Sequence, residues 1–121
     1  MSVFQQIEPK HYVFETNYFF AIYDRFPVSL GHLLIISKDL KKDYFSLDEK
    51  EKNDLNTAIE SGKGEIEKQF SPSGYNIGMN CGEDAGQTVM HFHCHIIPRY
   101  KGDTKNPRGG IRHCIQGKGY Y

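Results

Sequence analysis

The sequence predicts an α+β protein with an antiparallel sheet. Three observations carry that prediction. Short runs rich in aromatic and β-branched residues lie both before and after one long amphipathic stretch. Turn-forming residues punctuate the chain between them. The resulting order, β-β-β-α-β-β, segregates the strands from a single main helix, so a sheet face and a helix stripe together make the core.

Taken in order, "HYVFETNYFFAIYD" reads as two extended runs, Tyr12 to Phe14 and Tyr18 to Tyr23, around a turn at Glu15–Asn17. Pro27 and Gly31 break the pattern, and His32 to Ser37 form a compact apolar run that suits a buried strand. "DLKKDYFSL" is a polar connector with one short helical turn. Leu47 to Phe70 is the helix: Leu55, Ala58, Ile59, Ile66 and Phe70 recur at helical spacing, and Ser46 with Glu49 has the form of a capping box. Gly62 and Gly64 weaken that helix by roughly 1 kcal/mol each relative to alanine, which makes a kink or fraying there an expectation. Tyr75 to Asn80 alternates as a strand with Tyr75, Ile77 and Met79 on one face. "CGEDAGQ" is a Gly-rich loop, and "VMHFHCHIIP" is the last strand, closed by Pro98. The tail is loop, with a short extended piece at Ile111–Ile115.

The bulk numbers bound the function. A length of 121 residues suits one domain, 1–121. Lysine plus arginine equals aspartate plus glutamate at 15 each, so no net field draws the chain to nucleic acid or to a membrane surface. Three cysteines without a CxxC pair argue against a disulfide framework or a cysteine-rich zinc site; reduced thiols in the cytoplasm are the expectation. The first residues lack the basic and apolar regions of a signal peptide, and no apolar run reaches membrane-spanning length.

The chemistry concentrates in "GQTVMHFHCHIIPRY". His91, His93 and His95 fall on alternate positions, so in a strand they share one face, while Phe92, Cys94 and Ile96 face the core. One reading is a metal site. Against it, the outer two imidazoles are about 13 Å apart by strand rise, beyond easy reach of one ion, and no acidic residue is interleaved. The other reading makes one imidazole a nucleophile or acid–base group tuned by its neighbours. His93, with a histidine on either side, is best placed. The preceding loop supplies backbone N–H groups and amides suited to phosphate oxygens. Together these point to phosphoryl or nucleotidyl transfer without a metal.

"HFHCHII" matches His-x-His-x-His followed by two apolar residues, and the chain resembles the histidine triad (HIT) family on that motif. "NCGEDAGQTVMHFHCHIIPRYKGD" is similar to its bacterial dinucleoside polyphosphate hydrolase-like branch, and "YDRFPVSLGHLLIISK" resembles an earlier segment that carries a fourth histidine, here His32. The resemblance covers about residues 4–103 and leaves 104–121 as a tail. It implies a HIT-like fold of roughly five antiparallel strands with one long and one short helix. It implies hydrolysis or transfer of a nucleoside monophosphate through a covalent nucleotidyl-histidine on His93, with diadenosine tetraphosphate-type compounds or nucleoside phosphoramidates as substrates. His95 would contact the phosphate and assist the leaving group, and His91 and His32 would complete the network. The His91 carbonyl would take the Nδ1–H of His93. Asp24 would bind ribose hydroxyls, and Asn80, Gly86, Gln87 and Thr88 would surround the phosphate. It further implies a homodimer, no cofactor for the chemistry, and a divalent cation only as a substrate counter-ion.

Other residues fall outside these roles. Phe4, Phe20, Ile22 and Phe26 are candidates for an apolar base slot. Arg99, Arg108 and Arg112 read as solvated surface or as contacts to distal phosphates. His11 and His113 match no motif position. A nucleotide-binding module with little turnover would use the same pocket and remains the alternative to an enzyme.

Overall fold

The computed structural model describes residues 1–121. Five strands, β1 (Phe14–Glu15), β2 (Phe19–Tyr23), β3 (Leu33–Ser37), β4 (Gly74–Gly78) and β5 (His93–Arg99), form one sheet in the order β1-β2-β3-β5-β4, with every neighbour antiparallel. The long helix, α1 (Glu49–Gln69), lies between β3 and β4 in sequence. Leu55, Ala58 and Ile66 of α1 pack on Phe19, Ala21, Leu33, Ile35, Cys94 and Ile96, the helix-side face of the sheet. The opposite face carries a smaller cluster, Phe20, Ile22, Leu34 and Ile36, which the N-terminal residues Phe4, Ile7 and Tyr12 cover in part. The central strands are therefore buried on both faces, which explains why β3 reads as an unbroken apolar run rather than an alternating one.

The helix starts two residues later than the sequence suggested. Asp48, not Ser46, is the N-cap: its side chain accepts from Glu51 N at 2.8 Å, and Glu51 Oε1 accepts from Asp48 N at 2.9 Å. Ser46 instead ends a separate 3₁₀ turn, Tyr44–Ser46, capped by Asp43. The two glycines do not break α1. A Cβ on Gly62 would come within 2.8 Å of Ile96 Cδ1, so glycine lets the helix approach the sheet closely, while Gly64 meets nothing.

Further expectations change along the chain. β1 is only two residues long, although Val13 N still reaches Ala21 O at 2.7 Å. β5 begins at His93, so Val89–Phe92 approach it as loop, and Pro98 sits inside the strand opposite Tyr75. Proline is tolerated there because β3 pairs with β5 only from His93 to Ile96; beyond that point β5 has a neighbour on one side alone. The tail forms a 3₁₀ turn, Gly110–Cys114, rather than an extended piece. β4 ends at Gly78 rather than Asn80; Tyr75 on it and Met79 just past it pack on the core as expected, but Ile77 is 43% exposed.

Candidate active site

β5 places His93 and His95 on the sheet face that the helix does not cover. Ile36 pairs with His93 and Leu34 with His95, and directly paired residues project to the same side. Both histidines line a cavity of about 670 Å³. Val3, Phe4, Ile7, Ile22 and Leu34 give it apolar wall, and Gln6, Asp24, Arg25, Asn80, Gly86, Thr88 and the two imidazoles give it polar wall. Of the residues expected to form an apolar slot, Phe4, Ile22 and Phe26 line this cavity. Phe20 does not: it is buried beneath, stacked on Tyr12 with ring centroids 4.1 Å apart.

The hydrogen-bond partners fix where each imidazole carries its proton. His93 Nδ1 is 2.9 Å from the His91 carbonyl, which can only accept. The proton therefore sits on Nδ1 and leaves a lone pair on Nε2. His91 Nε2 donates to the Ser37 carbonyl at 2.7 Å, so its Nδ1 accepts the Ser2 hydroxyl at 2.7 Å. Ser2 Oγ in turn accepts from Phe4 N at 3.0 Å. The Phe4 ring then packs edge-on to His91 and His93, at 5.6 and 5.0 Å between centroids.

A second chain of contacts runs from the β2–β3 loop. Val28 N donates to His32 Nδ1 at 3.2 Å, so the His32 proton is on Nε2. That proton points at His95 Nδ1, 2.9 Å away. His95 must then carry its own proton on Nε2. The two adjacent imidazoles of β5 are thus set oppositely: His93 offers a lone pair at Nε2, and His95 an N–H at Nε2. Burial keeps His32, His91 and His95 neutral. It lowers the first two below the ordinary imidazole value, and together with the neighbouring His93 and His32 it takes His95 down to about 4, with Asp24 opposing.

Asp24 serves two contacts. Oδ1 accepts from Phe26 N at 2.9 Å and Oδ2 lies 3.4 Å from His32 Nε2. Asp24, His32 and His95 bring three ligand atoms within 4.8 Å of one another, so the fold does assemble a cluster of metal-ligand type, a different one from the three strand histidines. A hydrogen bond accounts for its 2.9 Å contact without an ion.

Gln87 departs from its expected place at the phosphate. It is 4% exposed, its Nε2 donates to Lys42 O and Val89 O, and its Oε1 accepts from Gly82 N. It braces the loop and is not on the cavity wall. Gly86 does line the cavity, at φ +92°, a backbone conformation that side chains disfavour. His91 contributes its carbonyl rather than its ring, and the ring is 1% exposed. Arg99 is taken up by Asp103 at 2.8 Å through two nitrogens, and by Asn76 at 2.6 Å. The sequence does not single out Ser2, Ile7, Val28, Leu34 or Ser37, which the fold brings to the site. Leu34 could have been found, since it alternates with His32 across an apolar run; Ser2 lies 89 residues from His91 and gave no signal.

With that geometry in view, the comparisons with known proteins define a class. Residues 5–102 match the HIT domain family. The chain belongs to that family. It is 46% identical over 77 residues to the bis(5'-nucleosyl)-tetraphosphatase [asymmetrical] of Schizosaccharomyces pombe, covering 64% of this chain and 42% of that protein. It is 36% identical over 93 residues to the bis(5'-adenosyl)-triphosphatase of Dictyostelium discoideum, covering 77% and 62%. The chain therefore spans less than two thirds of either relative. Among solved structures, a HIT family member from Bacillus subtilis superposes with a TM-score of 0.76 at 32% identity, covering 84% of this chain and 75% of that one. The fold is thus the five-stranded sheet and single long helix of its HIT neighbours.

Proposed function

We propose that the protein is a nucleotide hydrolase that cleaves at an α-phosphate through a nucleotidyl group carried on His93. The observation that carries this reading is the opposed setting of two adjacent imidazoles, a lone pair on His93 Nε2 beside an N–H on His95 Nε2. A bound nucleotide sets its base against Phe4, Ile22 and Leu34 and its α-phosphate at the histidines, all of which line the cavity. His93 Nε2 attacks the phosphorus, and the bond to the leaving group breaks with its electrons passing to the leaving atom. His95 Nε2–H donates a hydrogen bond to that atom. Water then attacks the same phosphorus, the bond to His93 breaks, and a nucleoside monophosphate is released.

Asp24, Asn80, Gly86 and Thr88 line the same cavity, and we assign the Asp24 carboxylate to the ribose hydroxyls and the other three to the phosphate. Gln87 acts through the loop it braces. The substrate class we assign is the dinucleoside polyphosphates, with nucleoside phosphoramidates as the second group; the two relatives' names support the first. The chemistry uses the chain's own imidazoles, with a divalent cation as counter-ion to substrate phosphates. A homodimer fits the sheet, because β4 ends it with an unpaired edge and Ile77 is exposed beside that edge.

The test is a panel of nucleotide conjugates scored for nucleoside monophosphate. Wild type should release adenosine monophosphate from diadenosine tetraphosphate. His93→Ala should lower that rate by about 1000-fold or more, and unchanged turnover would refute the mechanism.

A further inference from the structure

The cross-strand row that carries His95 runs Ile22, Leu34, His95, Gly78. On one side of the histidine the row is filled, since Ile22 and Leu34 carry side chains that line the cavity. On the other side β4 offers only a glycine. What stands over that glycine is the C-terminal segment. A Cβ on Gly78 would lie 3.8 Å from Ile111 Cδ1, and one on Gly110 would lie 3.3 Å from Asn76 Nδ2. Asn76 is two residues from Gly78 and shares its face. The turn Gly110–Cys114 therefore rests on the same face as the histidines, one strand beyond His95 and on the order of 10 Å from it.

That segment is strongly basic in a chain whose net charge is zero. Residues 101–121 hold Lys101, Lys105, Arg108, Arg112 and Lys118 against one acidic side chain, Asp103. Asp103 is already committed to Arg99. Arg108 and Arg112 place their guanidinium carbons 4.9 and 4.8 Å from the centre of one ring, Tyr121. Arg112 is further held by the Gly119 and Lys118 carbonyls, both at 3.3 Å. Neither arginine has a carboxylate within 4.0 Å. Two like charges are thus brought together with no carboxylate within 4.0 Å of either, an arrangement that an anion relieves and that suits bidentate binding of phosphate.

We propose that the C-terminal segment forms a polyphosphate subsite, in which Arg108 and Arg112 hold the distal phosphates of the leaving group across Gly78. The proposal rests on the nucleotide reading above. The base takes the β2–β3 side of the histidines, so phosphates beyond the α-position are left the β4 side, where the row ends in a glycine and the first side chain over it is Ile111 of the C-terminal turn. Arg99 has no part in it, being neutralised by Asp103.

The experiment compares wild type with Arg108→Gln/Arg112→Gln on two adenylyl donors. One is diadenosine tetraphosphate. The other is adenosine 5'-phosphoramidate, which has no distal phosphate. The variant should raise KM for the tetraphosphate by roughly 10-fold and leave the phosphoramidate constants unchanged. Added salt should raise the wild-type KM for the tetraphosphate far more than the variant's. Equal losses on both donors, or none on either, would overturn the subsite. Calorimetric titration with inorganic tripolyphosphate reads the site independently of turnover: wild type should bind at least about 10-fold more tightly than the variant. No binding, or equal binding, would overturn the proposal even if nucleotidyl transfer to His93 is established. Tight binding that needs both arginines would uphold the anion subsite even if that transfer fails.

Discussion

Ser2 shows how a single residue far from the motif can hold the site. Its hydroxyl meets the one lone pair left on a ring that is 1% exposed, and the carbonyl of that same residue, His91, orients His93. Ser2→Ala leaves Nδ1 of His91 buried without a donor and should cost about 1–3 kcal/mol, read by denaturant unfolding, whereas Ser2→Thr should restore most of it. The buried imidazoles also set an acid limit. His32, His91 and His95 have folded pKa values below 6.5, His95 down to about 4, because burial disfavours the imidazolium. Between those values and 6.5 the unfolded chain binds more protons than the folded one. Their contribution to stability is complete above pH 6.5 and is lost as the pH falls toward 4. The thermal midpoint should fall across that window, and His95→Asn should flatten the decline. A midpoint that does not change from pH 7 to 5 would contradict the neutral network.

At the scale of elements, the approach of α1 to the sheet is set by Gly62. Alanine there gains about 1 kcal/mol of helix propensity but puts a methyl carbon 2.8 Å from Ile96 Cδ1. Overpacking of this kind costs about 1–3 kcal/mol, so Gly62→Ala should lower stability or leave it level, while Gly64→Ala, in open space, should raise it. The same helix shows which parts of the fold the sequence displays. Its apolar stripe is local and periodic, so Leu55, Ala58 and Ile66 were legible. Its start was not, because Ser46 and Asp48 both have capping residues three positions on, and only the second closes both bonds. β5 was legible as a strand through its alternation, but its first residue was not. His91 keeps the alternating spacing while its ring is held by Ser37 and Ser2, contacts that come from remote segments. Gln87 was misplaced for a related reason: an amide beside a phosphate loop and an amide bracing that loop have the same local sequence.

For the whole molecule, the sheet orders the chemistry from side to side. Apolar cavity-lining residues on β2 and β3, paired histidines on β5, and a glycine with a basic segment beyond it on β4 form one axis. The family fold and the histidine trio were readable from the motif, whereas this axis needs the strand order, in which β5 inserts between β3 and β4. β4 closes the sheet with an unpaired edge, so light scattering at micromolar concentration should give twice 13.9 kDa, and a charged residue in place of Ile77 should shift it to 13.9 kDa. The proposed reaction turns on a covalent bond to His93, and rapid-quench trapping with α-labelled diadenosine tetraphosphate reads it directly. Label should appear on the wild-type protein within one turnover, in an acid-labile linkage located at His93, and should be absent from His93→Ala. Release of labelled monophosphate at full rate with no protein-bound label, at any quench time, would contradict it.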